Sequence, residues 1–586
     1  MSESYGTRTE RVALLVCVTA SAIAIVSAYR NPARGYELSM YRATPTLFWG
    51  FVVGSVLLSV PIAFRSKSTL NSGLAATNVG WTVLVVGALP VIRGYRYLGT
   101  SDALSHLGMA RSIVTGSTSV TEILYPLLSL LSSVVALPAG LPLEAAMLLL
   151  LPVCTAAYIL FVTLIVRDRS ASNPATVIAC VTACLLLPVN QVSRAGTFYQ
   201  PYPTLLAIFL TPIVLYLLFR SVTSDRAGFV LGSVVGLVVL VLAHPQQAFN
   251  FVLIGITIPL VFHISASGTG PAMRPGRVVS ATAITGLIFW RWVYGFDPFK
   301  RSVSGLVRSI VQFSGSTGDV SGAGSSLAQL GGSIEELFVK LFLVSAVFCA
   351  IGGLYGVVLL LPGRVLPDAL ERVSARSSDL ERGLTVSLIP LFLLFGFYIA
   401  FSSQYFRHLG FIMMVISILA PLGMGQLCEQ FPTRRRAIST VLSVAFIVFL
   451  LLSIPIVHLS PYIYQPTSHV SDAEQAGYAS PLDRVQDGSY IHYLRTDPER
   501  YYDAYVEWQE PIPFTTRQVL YDGNSLPVGD PTGDYTVLTR SDYEREVGLY
   551  DELHVTEADL DGMDSSPTVS RFYTNGNVEW YVHGTA

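Results

Sequence analysis

Two stretches hold residue types from which a group-transfer reaction could be built. "YRYLGTSDALSHLGMARSIVTGS", residues 95 to 117, places Asp102 and His106 between long apolar runs, where a membrane anchor needs neither. Spaced i,i+4, the carboxylate and the imidazole share one face of any helix that starts there. A carboxylate within about 3 Å of a hydroxyl is a suitable general base. Equally, "SD" ahead of the periodic run "ALSHLGMARSI" suits a helix cap, and the two roles can coexist. "FSSQYFRHLGF" places Gln404 and Arg407 between two later apolar runs. The planar guanidinium fork of Arg407 suits phosphate oxygens, although an acidic side chain or a lipid headgroup would occupy it as well.

Two further stretches add binding groups. "LAHPQQAFN" gathers His244, Gln246, Gln247 and Asn250 at one end of an apolar run; these suit sugar hydroxyls or phosphate, and they suit snorkelling or helix bridging too. "NQVSRAGTFYQPYP", residues 190 to 203, adds Arg194, Tyr199, Gln200 and Tyr202, where the aromatics could simply belong to an interfacial belt.

The elements that must position these residues are membrane helices. With 52% apolar and 13% charged residues and a mean hydropathy of +0.54, a chain of 586 residues is polytopic rather than soluble. Arg8 and Arg11 precede the apolar run 12–29 without a clear cleavage site, so a retained anchor is expected. A crossing needs about 20 mostly apolar residues. Thirteen segments fit: 12–29, 46–64, 74–92, 144–166, 174–190, 203–219, 228–243, 248–265, 278–294, 336–361, 383–401, 408–425 and 438–460. The six cysteines fall in or beside these runs and read as small core residues.

The run 123–139, "ILYPLLSLLSSVVALPA", could cross by apolarity alone, and charge decides against it. If it does not cross, the clusters Arg65/Lys67, Arg167/Arg169, Arg220/Arg226, Arg274/Arg277, Arg364 to Arg382 and Arg434 to Arg436 all share the side of the N-terminus, which is the positive-inside pattern. Residues 103–139 are therefore expected as helices lying along or dipping into the outer interface, with Pro126 and Pro138 limiting a regular span. The N-terminus is then cytoplasmic and the C-terminal region outside. Three parts follow: a cytoplasmic start with an additional two-helix hairpin at 1–73, a transmembrane core at 74–460 with outer loops 93–143 and 295–335, and a soluble domain at 461–586. The last carries 7 Arg, no Lys and 22 Asp+Glu, against 30 Lys+Arg and 17 Asp+Glu before it. Salt lessens the repulsion within such a domain.

"DYTVLTRSDYERE" predicts a strand and a short helix, and "VSRFYTNGNVEWYVHG" a hairpin turning at Asn575-Gly576, so the domain is expected to be α/β. It contains no nucleotide-binding glycine fingerprint, no H-x-x-x-H or C-x-x-C spacing and no G-x-S-x-G elbow. Packing on the outer loops or holding a partner is its expected duty. The Gly/Ser-rich loop 295–335 offers a lid or a passive linker, with Asp297, Asp319 and Glu335 as weak candidates.

"SDALSHLGMARSIVTGS", followed by Tyr125-Pro126 in "YPLLSLL", resembles the GT-C superfamily: multi-span glycosyltransferases that use polyprenyl-phosphate-linked sugars, in particular the protein O-mannosyltransferase-like and archaeal members. The resemblance covers roughly 74–460 and leaves the first two spans as an addition. It implies Asp102 as base and Arg407 as the residue holding the lipid phosphate. Asp102 is followed by Ala103 instead of a second acid, and no WWD motif is present, so a lipid-linked or glycan acceptor stays open beside a glycoprotein. The activity implied is transfer of a hexose, mannose first, from a dolichyl- or polyprenyl-phosphate donor on the outer face of the cell membrane, with inversion. His106, Tyr125, Arg194, Tyr199, His244, Gln246, Gln247 and Gln404 are the accompanying binding candidates. No cofactor is implied; a divalent metal, Mg or Mn, could be held by outer acids, but no spacing indicates one. Membrane lipids are expected partners and nucleic acid is not. A secondary transporter or a noncatalytic membrane scaffold are the alternatives, separated from an enzyme by whether Asp102 and Arg407 face one cavity.

Overall fold

Apolar runs of about 20 residues can close all their backbone hydrogen bonds only as helices in lipid, and helices dominate the computed structural model. It describes residues 2–170, 172–192, 196–264, 274–297, 299–301, 304–305, 308, 332–402, 405–508, 512–519, 534–552 and 554–584. The membrane part comprises α1 (Ser2–Tyr29), α2 (Thr46–Arg65), α3 (Thr69–Gly87), α4 (Asp102–Thr115), α5 (Leu127–Ala139), α6 (Leu143–Arg169), α7 (Asn173–Ala183), α8 (Pro203–Thr223), α9 (Ala227–Ala243), α10 (Pro245–Ile264), α11 (Pro275–Val293), α12 (Ile334–Leu360), α13 (Asp379–Phe401), α14 (Tyr405–Gln430) and α15 (Arg435–Ser453).

Each of the thirteen expected segments falls on a helix. Among the described residues, nine of these helices are long and apolar enough to cross a membrane: α1, α2, α6, α8, α10, α12, α13, α14 and α15. The protein is thus a multi-pass membrane protein, while a count of thirteen crossings is not reached. α9 has 17 residues and α7 only 11; at 1.5 Å per residue the latter spans about 16 Å. The segment expected to run to 190 stops at Ala183, and Leu186 takes a left-handed φ of +50° before Pro188. α3 is polar on the face that packs inward: Asn78 donates to Ser55 and Ser59 of α2 at 2.9 and 2.8 Å, the interhelical glue that small polar residues supply in lipid. α5 has 13 residues, about 20 Å in length, so the run 123–139 is too short to cross alone. Pro126 is its N-cap and Gly140, at φ +62°, its left-handed C-cap.

Two short strands, β1 (Tyr97–Leu98) and β2 (His469–Val470), pair antiparallel and tie the loop before α4 to the chain leaving the membrane. Beyond them the C-terminal part contains α16 (Asp472–Leu482), β3 (Tyr490–Tyr493), α17 (Pro498–Tyr505), β4 (Thr515–Gln518), β5 (Tyr535–Thr539), α18 (Arg540–Glu546), α19 (Glu557–Ser565), β6 (Val569–Thr574) and β7 (Val578–His583). The sheet order is β4-β3-β5-β7-β6, with β3 parallel to both β4 and β5 and the β5/β7 and β6/β7 pairs antiparallel. The strand and helix expected in "DYTVLTRSDYERE" are β5 and α18, joined by a capping box on Thr539. The hairpin turn differs from the two-residue form. Residues 575–577 link the strands, because the Asn575 side chain accepts from the backbone N–H of Asn577 and Val578 while Gly576 takes φ +80°. Apolar packing runs without a break from α2 and α3 to Tyr478, Tyr501 and Trp580 of this domain.

Candidate functional site

Asp102 reaches its place through backbone geometry. β1 pairs with β2, Gly99 donates its N–H to the Ser468 carbonyl at 2.7 Å, and its φ of +127° turns the chain into α4. Only glycine adopts that angle readily, and a side chain there would also meet the Ala103 methyl. Ser101 is the N-cap residue and makes no side-chain cap bond, so the expected capping role of Asp102 is not the one observed. Asp102 occupies the first helical position, where the partial positive charge of the helix end favours a carboxylate. α4 ends at Gly116, with φ +76°.

Arg407 stands in the first turn of α14, where the helix end disfavours a cation. The Asn190 side chain anchors that turn by donating to the Phe406 carbonyl at 3.1 Å. Residues 190 and 197 form a bridge that folds the following stretch over the same opening. The result is one cavity of about 230 Å³ that Asp102 and Arg407 both line, with Gln200, Tyr202, Gln465 and Ser468 among its other walls. Gln200 donates to the Ser468 hydroxyl at 3.1 Å. No ion pair involving Arg407 forms among the described residues, whereas Asp102 has a cationic neighbour from an unexpected source: Arg500 of α17, 3.7 Å away.

The C-terminal α/β part therefore reaches the site. α17 crosses α4 at Gly108; Arg500 donates to the Ser105 hydroxyl at 3.1 Å, and Ser105 donates to the Asp503 carboxylate at 2.6 Å. Burial pushes the Asp503 carboxyl up to about 6, against the lowering effect of the Ser105 hydrogen bond and Arg500. Arg500 is held more firmly protonated by Asp102, Glu499, Asp497 and Asp503, which outweigh its own desolvation. No signal in "DPERYYDAY" marks Arg500 for this place, since it lies 395 positions from Ser105.

A second polar group lies beside the first. His106 is buried on α4, its ring edge-on to Tyr125 at 5.4 Å, and Tyr125 stacks on His244 at 5.8 Å. Burial, with Arg500 and Arg407 adding to it and Asp102 opposing, pushes the His106 imidazole down to about 4, so it is neutral at pH 7. The Nδ1 atoms of His106 and His244 and the Nε2 atoms of Gln246 and Gln247 are buried without a hydrogen-bond partner among the described residues. Buried donors and acceptors are rarely left so; these are the atoms a bound polar molecule would satisfy. Gln247 also accepts from Asn250 at 3.0 Å within α10.

Tyr199 does not join either group. It is 1% exposed, shares a hydrogen bond with Thr155 at 2.9 Å and lies edge-on to His458, so it packs helices together. Arg194 and Gln404 fall outside the described residues, as does Asp319. Asp297 pairs with Lys300 at 2.9 Å, and Glu335 sits in the first turn of α12. Among the described residues no group of three or more His, Cys, Asp or Glu side chains gathers to hold a metal ion.

No family model matches the chain, and no curated protein matches it. Among solved structures it is similar to the cryo-EM structures of the arabinofuranosyltransferase AftD from Mycobacteria, at TM-scores of 0.44 and 0.43 and identities of 11% and 12%, over 87% and 92% of this chain. The chain spans 41% of the length of each of those structures.

Proposed function

We propose that this protein is a membrane glycosyltransferase that moves a sugar from a polyprenyl-phosphate donor to an acceptor hydroxyl at the face carrying the soluble domain. The observation that supports the reading is the shared cavity of Asp102 and Arg407. In one displacement the acceptor O–H gives its proton to the Asp102 carboxylate while its oxygen attacks the anomeric carbon. The bond from that carbon to the phosphate oxygen breaks, and the polyprenyl phosphate leaves as an anion against Arg407. A single displacement inverts the sugar. His106, Tyr125, His244, Gln246 and Gln247 contact sugar or acceptor hydroxyls in this reading, mannose is the first sugar to test, and a lipid-linked glycan or a glycoprotein is the acceptor. The domain organisation proposed with it is the hairpin at 1–73, the core at 74–460 and the soluble domain at 461–586, exposed outside a cytoplasmic N-terminus.

The test is to incubate purified wild-type and Asp102→Asn protein with a panel of polyprenyl-phosphate sugars and glycan-lipid acceptors and to read products by mass spectrometry. Loss of a general base lowers the rate by about 10²–10⁴-fold. Equal transfer by Asp102→Asn removes Asp102 from the role, and no transfer by wild type across the panel removes the enzyme reading.

A further inference from the structure

A separate cavity of about 540 Å³ lies where the N-terminal hairpin meets the helix that leads out to the soluble domain. That volume falls in the range of small-molecule sites, roughly 300–1,000 Å³. Its walls combine Val52 and Trp49 of α2, Leu451 of α15, and Tyr41, Arg42 and Tyr462 from the connecting segments. Among the described residues no carboxylate lines it. Arg42 is exposed and forms no ion pair among the described residues, while Tyr41 stacks on Trp49 with ring centres 5.2 Å apart. Val53, which also lines it, and the neighbouring Leu47 of α2 are 37% and 56% exposed, so the apolar floor opens toward lipid. Tyrosine and tryptophan with an arginine at the end of a span are the residue types of the headgroup layer. An uncompensated guanidinium over an apolar floor selects an amphiphile with a negative head.

We propose that this cavity seats an anionic phospholipid, its phosphate on Arg42 and its upper acyl chain along Trp49, Val52 and Leu451. The position gives the lipid a consequence for the site. The Tyr41 hydroxyl donates to the Ile454 carbonyl at 2.7 Å and accepts from the His458 N–H at 3.0 Å. Leu459, next along the chain, lines the Asp102 cavity, as do Gln465 and Ser468, whereas Ser460 to Tyr462 line the lipid cavity. One segment is thus the partition between the two, and a lipid on one side braces the wall of the other. Lys340 supports the same segment by donating to the Tyr462 carbonyl at 2.7 Å.

The test needs no transferase assay and so stands or falls apart from the proposed function. Full-length wild type, Arg42→Ala and Val53→Trp are purified in neutral detergent, then supplied with phosphatidylglycerol or phosphatidylcholine. Retained lipid is counted by native mass spectrometry and thermal unfolding is followed in parallel. Wild type is expected to retain phosphatidylglycerol about fivefold better than phosphatidylcholine, the value of one arginine at the headgroup layer, and to gain thermal stability from it alone. Arg42→Ala loses the preference, and Val53→Trp, which fills the cavity from its lipid side, loses retention of both. Equal retention of the two lipids by wild type, an undiminished preference in Arg42→Ala, or undiminished retention by Val53→Trp overturns the proposal.

Discussion

At Gly108 the backbone of α17 lies directly against α4, and replacing Gly108 with alanine tests whether that contact builds the site. A methyl group on Gly108 would lie 2.6 Å from the carbonyl carbon of Asp503 and nearer still to its oxygen. Carbon contacts are comfortable at about 3.5–4.0 Å, so the two backbones must part by about 1 Å or more. Neither backbone is the loose end of a side chain that could swing away. The separation takes the Ser105–Asp503 hydrogen bond, 2.6 Å in the docked form, out of range, a loss of about 1.5–3 kcal/mol for a bond to a charged group. The Asp102–Arg500 pair, between side chains 49% and 32% exposed, adds only about 0.2–1 kcal/mol. Alanine returns about 1 kcal/mol in helix propensity to either state and does not favour docking. Docking is therefore expected to weaken by about 2–4 kcal/mol, roughly 30- to 1,000-fold. Hydrogen exchange over residues 102–115 and 497–506 in detergent reads this directly. Gly73→Ala is the control, because nothing lies within 4 Å of its added carbon. Gly108→Ala protein protected as well as wild type over both segments would show that α17 does not hold α4 and that Arg500 is no part of the site.

Two further outcomes follow from the same geometry, beside those stated for Asp102 and for the lipid cavity. Arg407→Ala is expected to lower kcat/KM for the phosphate-linked donor about 10- to 100-fold, the loss of one or two charge-assisted hydrogen bonds, with Arg407→Lys recovering part; a donor titration with unchanged kcat and KM removes Arg407 from phosphate binding. In the soluble domain, burial pushes the Glu474 carboxyl up to about 7, with Arg545 and the Tyr501 hydrogen bond opposing. Its folded value lies above the unfolded one, so its stability contribution is greatest below about pH 4.5 and falls by about 3 kcal/mol as the pH rises through 7. Glu474→Gln keeps the shape and should flatten thermal unfolding temperatures between pH 5 and 8, and an unchanged pH slope would refute the assignment.

The solvent of this protein, the placement of its helices and the stretches around Asp102, His244 and Arg407 were legible from residue order. Apolar runs must become helices in lipid wherever they occur, and a charged residue at a run's end betrays itself by its type alone. Pro126 marked the start of α5 for the same local reason, since backbone angle limits act within a few residues. Crossing number was less legible: α7 and α3 read as apolar runs, yet one stops after 11 residues and the other turns Asn78 inward to α2. Tyr199 looked like its neighbours Gln200 and Tyr202, and only packing against Thr155 and His458 separates it from them. The sharing of one cavity by Asp102 and Arg407, and the arrival of Arg500 beside them, are decisions of the tertiary structure. They depend on a two-residue strand pair and a helix crossing at one glycine, contacts between segments hundreds of positions apart for which sequence periodicity carries no information.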